Sequence, residues 1–492
     1  MDSNIYRNDI QMKKIFLIYP SGELFQRGEE RCQSNIKSST ATSMRACNDL
    51  GYCAAVLRNE YEIFLKDYQS EQLSIDDLLT DLKEHRPDVI FISITNTTIF
   101  SDIETVKLIK NILPEVCIIL KGAIFFNPED EMLNLLDLSQ VDYLIGTEAE
   151  CIIKKLLNAH FTDKSELKDI NGILFKENGK WLRTDFNTHF ENLDELPFPA
   201  RDLMNNSLYV RPDTGEVQAT IATSRGCPSS CIFCLTPSIT GRKLRLRSPQ
   251  NIYEELLECY EKYNIKNFFF KSDTFTIDKN WTIELCRFIQ NSKLNGKISW
   301  VANSRVNPID EETLTEMKKS GCWLVAFGFE SGSEKSLSMM KKGATLEQNV
   351  KAAQMAKKAG LQIFGFYLIG FPWENKNDLR KTKDLMFKID ADFIELHIAT
   401  PFYGTKLYEA AKSEGLIDEN VLGKDYFNAP TIGTKYLSIN EIQKFRNKTI
   451  LEYHLRFSYI FRKLFSAMSK PKVILNYFKY GIRMLKNILT SV

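Results

Sequence analysis

Three cysteines stand close together in Ser224-Arg225-Gly226-Cys227-Pro228-Ser229-Ser230-Cys231-Ile232-Phe233-Cys234, at C-x3-C-x2-C spacing. Thiolates hold iron–sulfur clusters, usually four to a cluster, so three with no fourth nearby leave one iron open to a small molecule. Structural zinc fits less well, because it takes a closed set of four N/S ligands, typically as paired C-x2-C knuckles. No second pair follows. The plainer alternative is three buried thiols in an apolar loop.

Chemistry outside the loop is sparser. His397 stands in the alternating stretch Phe393-Ile394-Glu395-Leu396-His397-Ile398, and period-two alternation places Glu395 on its face. A lone histidine in such a strand is ordinarily a hydrogen-bonded core residue. His397 and Glu395 are nonetheless the candidates for a catalytic proton acceptor. Cys286 and Cys322 lie in helix-like and strand-entry contexts and read as structural.

A cluster loop needs a rigid frame. The cysteines directly follow an apolar run, 217–223, the first of six β-like runs; the others are 267–270, 298–302, 323–329, 363–368 and 393–398, separated by helical patterns such as 252–263 and 346–359. Six βα units make a partial barrel of the (β/α)6 TIM type, in which residues just past the strand C-termini face the reaction. Those positions carry Asp273, Arg305, Glu330-Ser331 and Gly370.

A second βα series precedes the first. Runs at 15–19, 62–65, 88–93, 116–120 and 143–145 alternate with helical patterns at 43–57, 75–84, 101–112 and 128–136. This predicts a Rossmann-like, doubly wound parallel sheet over 1–160, whose ligands sit beyond the strand carboxyl ends. Ser21, Ser93, Thr95, Asn96, Gly122, Gly146 and Glu148 fall there, small or hydroxylic enough for a large ligand to approach the backbone. Between the two series, 161–216 reads as a linker with a hairpin at Glu177-Asn178-Gly179.

With these elements in place, the cysteine loop resembles the cluster loop of the radical S-adenosylmethionine (SAM) superfamily. The whole chain resembles that superfamily's cobalamin-dependent branch, including methyltransferases and the anaerobic cyclase type. The resemblance implies a 4Fe-4S cluster on Cys227, Cys231 and Cys234. It implies SAM chelated to the open iron among Phe233, Asp273, Arg305, Glu330, Ser331 and Gly370, and cobalamin among the strand-end residues of the first sheet. In that branch Lys121-Gly122 stands where a glycine pair is usual. The Asp-x-His-x-x-Gly motif that supplies an axial histidine to cobalt is absent, so base-off cobalamin is expected.

Composition removes other classes. Lys+Arg 64 against Asp+Glu 63 leaves net charge +1, so no global field favours nucleic acid. Eleven cysteines without a basic-then-apolar leader point to a reducing, cytoplasmic setting rather than a disulfide scaffold. No apolar run of about 18 residues appears. The stretch 426–492 reads as a helical region, and from Glu441 onward eleven Lys/Arg face two acids, interleaved with aromatics at helical period and split by Pro471. Basic amphipathic helices of this kind lie on anionic membrane surfaces, here the inner face, or cap a barrel.

The sequence therefore points to a radical SAM enzyme that functionalises an unactivated carbon. The first expectation is C-methylation of a small-molecule or lipid-like substrate, with an electron donor such as flavodoxin or ferredoxin. Cobalamin-assisted oxidative cyclisation without methyl transfer is the alternative within the branch, and a non-catalytic cobalamin- or SAM-binding module is the alternative of another class.

Overall fold

The computed structural model describes residues 12–23, 25–28, 32–35, 44–126, 130–186, 189–417, 422–423, 431–468 and 471–490. The first sheet has five parallel strands in the order Glu62–Asp67, Lys14–Tyr19, Val89–Ser93, Cys117–Lys121, Tyr143–Ile145. Every residue of Val89–Ser93 and Cys117–Lys121 is buried. Central parallel strands are covered on both faces, which is why they read as unbroken apolar runs. Helices Asn48–Leu57 and Ala149–Phe161 pack over Leu17, Phe91 and Ile119. Helices Ile75–His85 and Ile99–Ile112 pack over Phe16, Ile90 and Ile118 on the other face. Strand order reverses between Lys14–Tyr19 and Val89–Ser93, the switch point at which open α/β sheets bind ligands. The helix expected over 43–57 starts at Asn48, and the one expected over 128–136 is cut to Asp130–Leu133, with 127–129 outside the described residues.

Residues 161–216 are more than the expected linker. Strand Ile173–Glu177 joins the first sheet antiparallel to Tyr143–Ile145, Phe175 pairing with Tyr143, and Lys180–Arg183 pairs antiparallel with it at the new edge. Asn178 and Gly179, at φ +51° and +78°, make the turn. An Asn-Gly pair specifies a hairpin but not the sheet edge it joins.

The second sheet is the partial barrel. Its six parallel strands lie in chain order: Gln218–Ala222, Asn267–Lys271, Ser299–Ser304, Cys322–Glu330, Gln362–Ile369 and Phe393–Ile398. Alternation sends Trp300, Ala302, Ile394, Leu396 and Ile398 into the core against the outer helices. Val301, Asn303, Glu395 and His397 are left on the concave face.

The two sheets meet through the loops at their strand ends. Ala123 and Phe126 pack against Leu235 and Ile239, just past the cysteines. Asn48 Nδ2 donates to Thr220 O at 2.8 Å. Helix Ile439–His454 runs along the last barrel strands, from Ile442 beside Gly370 at a strand end to Tyr453 at the strand starts, and Phe457–Ala467 and Pro471–Thr490 follow at the strand-start end. Tyr453 Oη donates to Ala391 O at 2.7 Å and Tyr459 Oη to Asp392 O at 3.0 Å, both just ahead of the last barrel strand. Asn476 Nδ2 donates to Asp213 O at 2.9 Å, ahead of the first. The tail thus bridges the strand starts.

Candidate active site

The cysteine loop is shaped by its backbone. Gly226 sits at φ +84°, and a Cβ there would lie 2.0 Å from Lys243 O, so only glycine lets the chain turn into Cys227. Cys227 N donates to Gly241 O at 3.1 Å, Ile232 N to Met340 O at 3.0 Å, and Leu407 N to Ile232 O at 3.0 Å. Phe233 packs edge-on against Phe371, ring centroids 5.9 Å apart, in an apolar cluster with Trp373 and Leu407. The loop is therefore held by the ends of the last barrel strands as well as by the first.

Several expected SAM-side residues converge on this loop. Arg305 donates to Cys231 Sγ at 3.5 Å and also to Lys342 O. Lys342 Nζ in turn donates to Glu330 Oε1 at 2.6 Å, both groups buried. Glu330 takes the left-handed φ of +60°, uncommon for a non-glycine residue and a form of strain that concentrates at functional sites. Gly328 makes room for it, since a Cβ there would lie 2.5 Å from Glu330 Oε1. Asp273 accepts from Thr240 Oγ1 at 3.0 Å, tying the second strand end to the helix after the cysteines. Beside it, burial lowers the Lys271 ammonium to about 8, against the pull of Asp273.

Two of the expected residues serve the scaffold. Ser331 is buried, its hydroxyl paired with Thr382 Oγ1 at 3.1 Å and accepting from Ser333 N. Gly370, at φ +88°, donates its N–H to Glu374 Oε2 at 2.8 Å, and Phe371 N donates to the same oxygen at 3.2 Å. Ser336 Oγ donates to the other carboxyl oxygen at 2.8 Å. Burial raises Glu374 to about 7 despite these three donors. Glu374 thus closes the strand-end segment Gly370-Phe371-Pro372-Trp373-Glu374 on itself.

On the first sheet, Ser93 Oγ and Tyr19 Oη both donate to Asp49 Oδ2, at 2.6 and 2.9 Å, and Lys121 Nζ lies 3.5 Å from it. This polar set sits at the switch point. Burial brings the Lys121 ammonium down to about 7, opposed by Glu150 and Glu148. Ser21 Oγ donates to Ser74 O, Thr95 Oγ1 pairs with Thr98 Oγ1, and Asn96 O accepts from Gly423 N. Gly122 packs on Ile94, and the space a Cβ would take at Gly146 is filled by Phe186 and Phe125 O. His85 and His160 lie at the strand-start end, His160 Nδ1 paired with Tyr143 Oη.

Glu148 does something the sequence did not disclose. Arg245 Nη2 donates to Glu148 Oε1 at 2.7 Å, and Arg225 Nη1 lies 3.0 Å from Oε2. Arg225 Nη2 also pairs with Glu150 at 2.5 Å. Burial pushes the Glu148 carboxyl up, but Arg225 and Arg245 together outweigh it and hold it at about 2. Arg225 is two residues from Cys227, and the pair Ser224–Arg225 and Arg245–Leu246 forms a small antiparallel sheet. The strand-end loop of the first sheet is thus ionically latched to the cysteine loop. The alternating cations of Lys243-Leu244-Arg245-Leu246-Arg247 were the available sign of buried arginines.

Inside the barrel, Glu395 Oε2 and His397 Nε2 are 2.8 Å apart, and His397 stacks on Phe366. The two candidates for proton transfer do meet. A groove of about 870 Å³ lies elsewhere, on the outer helices beside Tyr253 and Phe288, and takes no part.

Among the described residues no three His, Cys, Asp or Glu side chains converge on a single ion. A mononuclear site is therefore not offered by the loop. A cubane asks for less convergence, because each thiolate binds a different iron, and the three cysteines form no disulfide. Donor type, loop anchoring and the polar chain Cys231–Arg305–Lys342–Glu330 fit a cluster with an amino-acid-like ligand beside it. The polar set at the switch point fits the amide-bearing rim of a corrinoid.

Comparison with known proteins agrees. Residues 221–386 match the model of the radical SAM superfamily. An uncharacterized methyltransferase of Pyrococcus horikoshii is 33% identical over 417 residues, covering 85% of this chain and 89% of that protein. The cytidylyl-2-hydroxyethylphosphonate methyltransferase of Streptomyces wedmorensis is 27% identical over 467 residues, covering 82% and 83%. The solved structure of OxsB, a cobalamin-dependent SAM radical enzyme with aqua-cobalamin and SAM bound, superposes with TM-score 0.70 at 16% identity, covering 97% of this chain and 72% of that one. The chain belongs to the radical SAM superfamily.

Proposed function

We propose that this protein is a cobalamin-dependent radical SAM C-methyltransferase acting on a small-molecule or lipid-like substrate. The observation that carries the proposal is the latch of Glu148 to Arg225 and Arg245, which joins the strand-end loop of the first sheet to the cysteine loop. Two cofactor loops tied together serve a reaction in which both cofactors attend one substrate. Residues 1–160 with the added hairpin would bind the corrinoid, 217–425 would form the SAM barrel, and 426–492 the helical tail.

Cys227, Cys231 and Cys234 would hold the 4Fe-4S cluster, with Phe233 screening it from water. Asp273, Arg305 and Glu330 would orient SAM, while Ser331 and Gly370 fix the turns behind it. When bound, the cluster and SAM supply the radical that abstracts hydrogen from an unactivated carbon, and the corrinoid supplies the methyl group. The protein's own share is positioning. On the concave face Glu395 and His397, hydrogen-bonded to each other, would orient the substrate's reacting carbon toward the two cofactors.

A flavodoxin- or ferredoxin-like donor would reduce the cluster in the cytoplasm, with the tail helices at the inner face of the membrane. Anaerobic reconstitution, reduction and mass analysis with methyl-labelled SAM test the chemistry. Deoxyadenosine together with a labelled product supports methyl transfer. Deoxyadenosine with an unlabelled, oxidised product would assign the cyclisation alternative, and absence of deoxyadenosine would leave a binding module.

A further inference from the structure

The last two helices are amphipathic the wrong way round for a protein in water. On Phe457–Ala467 the outward side chains are Phe457, Phe461, Leu464, Phe465 and Met468, at spacings of three and four that make one face. Phe457, Phe461 and Phe465 are 82%, 70% and 78% exposed. The inward side of the same helix carries the polar groups. Lys463 is buried with its ammonium 3.5 Å from the Phe393 ring centroid, Arg462 pairs with Asp390, and Tyr459 bonds to Asp392 O. Burial lowers the Lys463 ammonium to about 8.

Pro471–Thr490 repeats the arrangement. Leu475, Phe478, Ile482 and Leu485 project outward along one face, while Val473 and Tyr477 turn in. Beside that apolar face Lys472, Lys479 and Lys486 are exposed at intervals of seven, and the sequence has no Asp or Glu after Glu452. Among the described residues nothing covers either face. No helix among the described residues is long and apolar enough to cross a membrane.

We propose that the outward faces of Phe457–Ala467 and Pro471–Thr490 form one interfacial docking surface for an anionic lipid bilayer, the phenylalanines entering the headgroup–acyl boundary and the three lysines meeting the phosphates. This rests on the peripheral placement proposed above and gives it its contact surface. Aromatic and aliphatic side chains on one face with lysines at its margin are what an interfacial helix requires. A second copy of the chain fits worse, since a twofold contact sets the same patch against itself and would oppose the lysine rows.

Co-sedimentation of the full chain with phosphatidylcholine vesicles, with and without phosphatidylglycerol, tests this. The wild type should bind the anionic vesicles at least about tenfold more tightly than the neutral ones, the difference shrinking in high salt. A Phe461→Ser, Phe465→Ser, Phe478→Ser variant should lose more than about tenfold on both compositions, because the buried apolar area is removed. A Lys472→Gln, Lys479→Gln, Lys486→Gln variant should lose only the anionic preference. These side chains are exposed, so thermal melts of both variants should match the wild type. The proposal fails when the wild type stays in the supernatant with both compositions. A dimer seen by ultracentrifugation in that case, and lost in the phenylalanine variant, would assign the face to self-association. Deoxyadenosine formation measured in parallel should be unchanged in both variants, which separates a failed docking surface from failed chemistry.

Discussion

Each cysteine of the loop has a different neighbour, yet the same outcome is expected when any is lost. Cys227 is buried, Cys231 lies beside Arg305, and Cys234 contacts Thr236 Oγ1 at 3.0 Å. Replacing any of them with alanine should abolish the visible absorption of the reconstituted cluster and deoxyadenosine formation, while far-ultraviolet circular dichroism stays native. The Glu395–His397 pair separates from the cluster chemistry in a different way. Glu395→Gln or His397→Phe should leave deoxyadenosine formation within about threefold but lower labelled product by about a hundredfold, the scale of a misplaced substrate. Parallel loss of both readouts would remove the pair from the reaction. Glu148 tests the latch. Its carboxylate is present above about 4.5 and is lost only as pH falls toward about 2, so its stabilisation holds through neutrality. Glu148→Gln leaves Arg245 buried without a counter-charge and Arg225 with Glu150 alone, and should cost about 3–5 kcal/mol near pH 7 by calorimetry, with the gap to wild type closing as pH falls from 4.5 toward 2.

At the level of elements, the sequence made the βα repeats plain because parallel strands covered on both faces cannot alternate and their helices must. The barrel strands appear where the apolar runs lie, and in chain order. The Asn178-Gly179 turn was equally plain, but the attachment of its hairpin to the Tyr143–Ile145 edge depends on tertiary pairing that no local pattern encodes. The same limit hid the latch. Glu148 and Arg225 are far apart in sequence, and burial of a charge pair leaves no periodic mark. Ser331 shows the converse, a hydroxyl at a suggestive strand end whose bonds run backward to Thr382 and Ser333. Its neighbour Gly332 marks how tightly that end is built, since a Cβ there would lie 2.0 Å from Lys381 O. Gly332→Ala should push helix Lys376–Ile389 away and cost about 2–4 kcal/mol, measurable by chemical denaturation. A cost under about 0.5 kcal/mol would mean that the helix moves freely.

For the whole molecule, buried carboxyls set the response to pH. Glu374 is raised by burial to about 7 from 4.5, and Asp102 to about 7 from 3.8. A raised carboxyl contributes stability that is complete below its unfolded value and is lost as pH rises through the folded one. Glu374→Gln removes that titration, so the variant should gain on wild type by about 3 kcal/mol between pH 4.5 and 7, read from paired melts. A constant gap would show that Glu374 ionises normally. The tail has a consequence of a different kind. It bridges the strand starts, through Asp213, Ala391 and Asp392, whereas the cysteine loop closes over the strand ends. A bilayer under the tail therefore leaves the reaction mouth on the aqueous side. On the proposed placement, water-borne SAM and an electron donor would arrive without hindrance, and an oily substrate would have to be lifted clear of the lipid and carried around the molecule before reaching the cysteine loop.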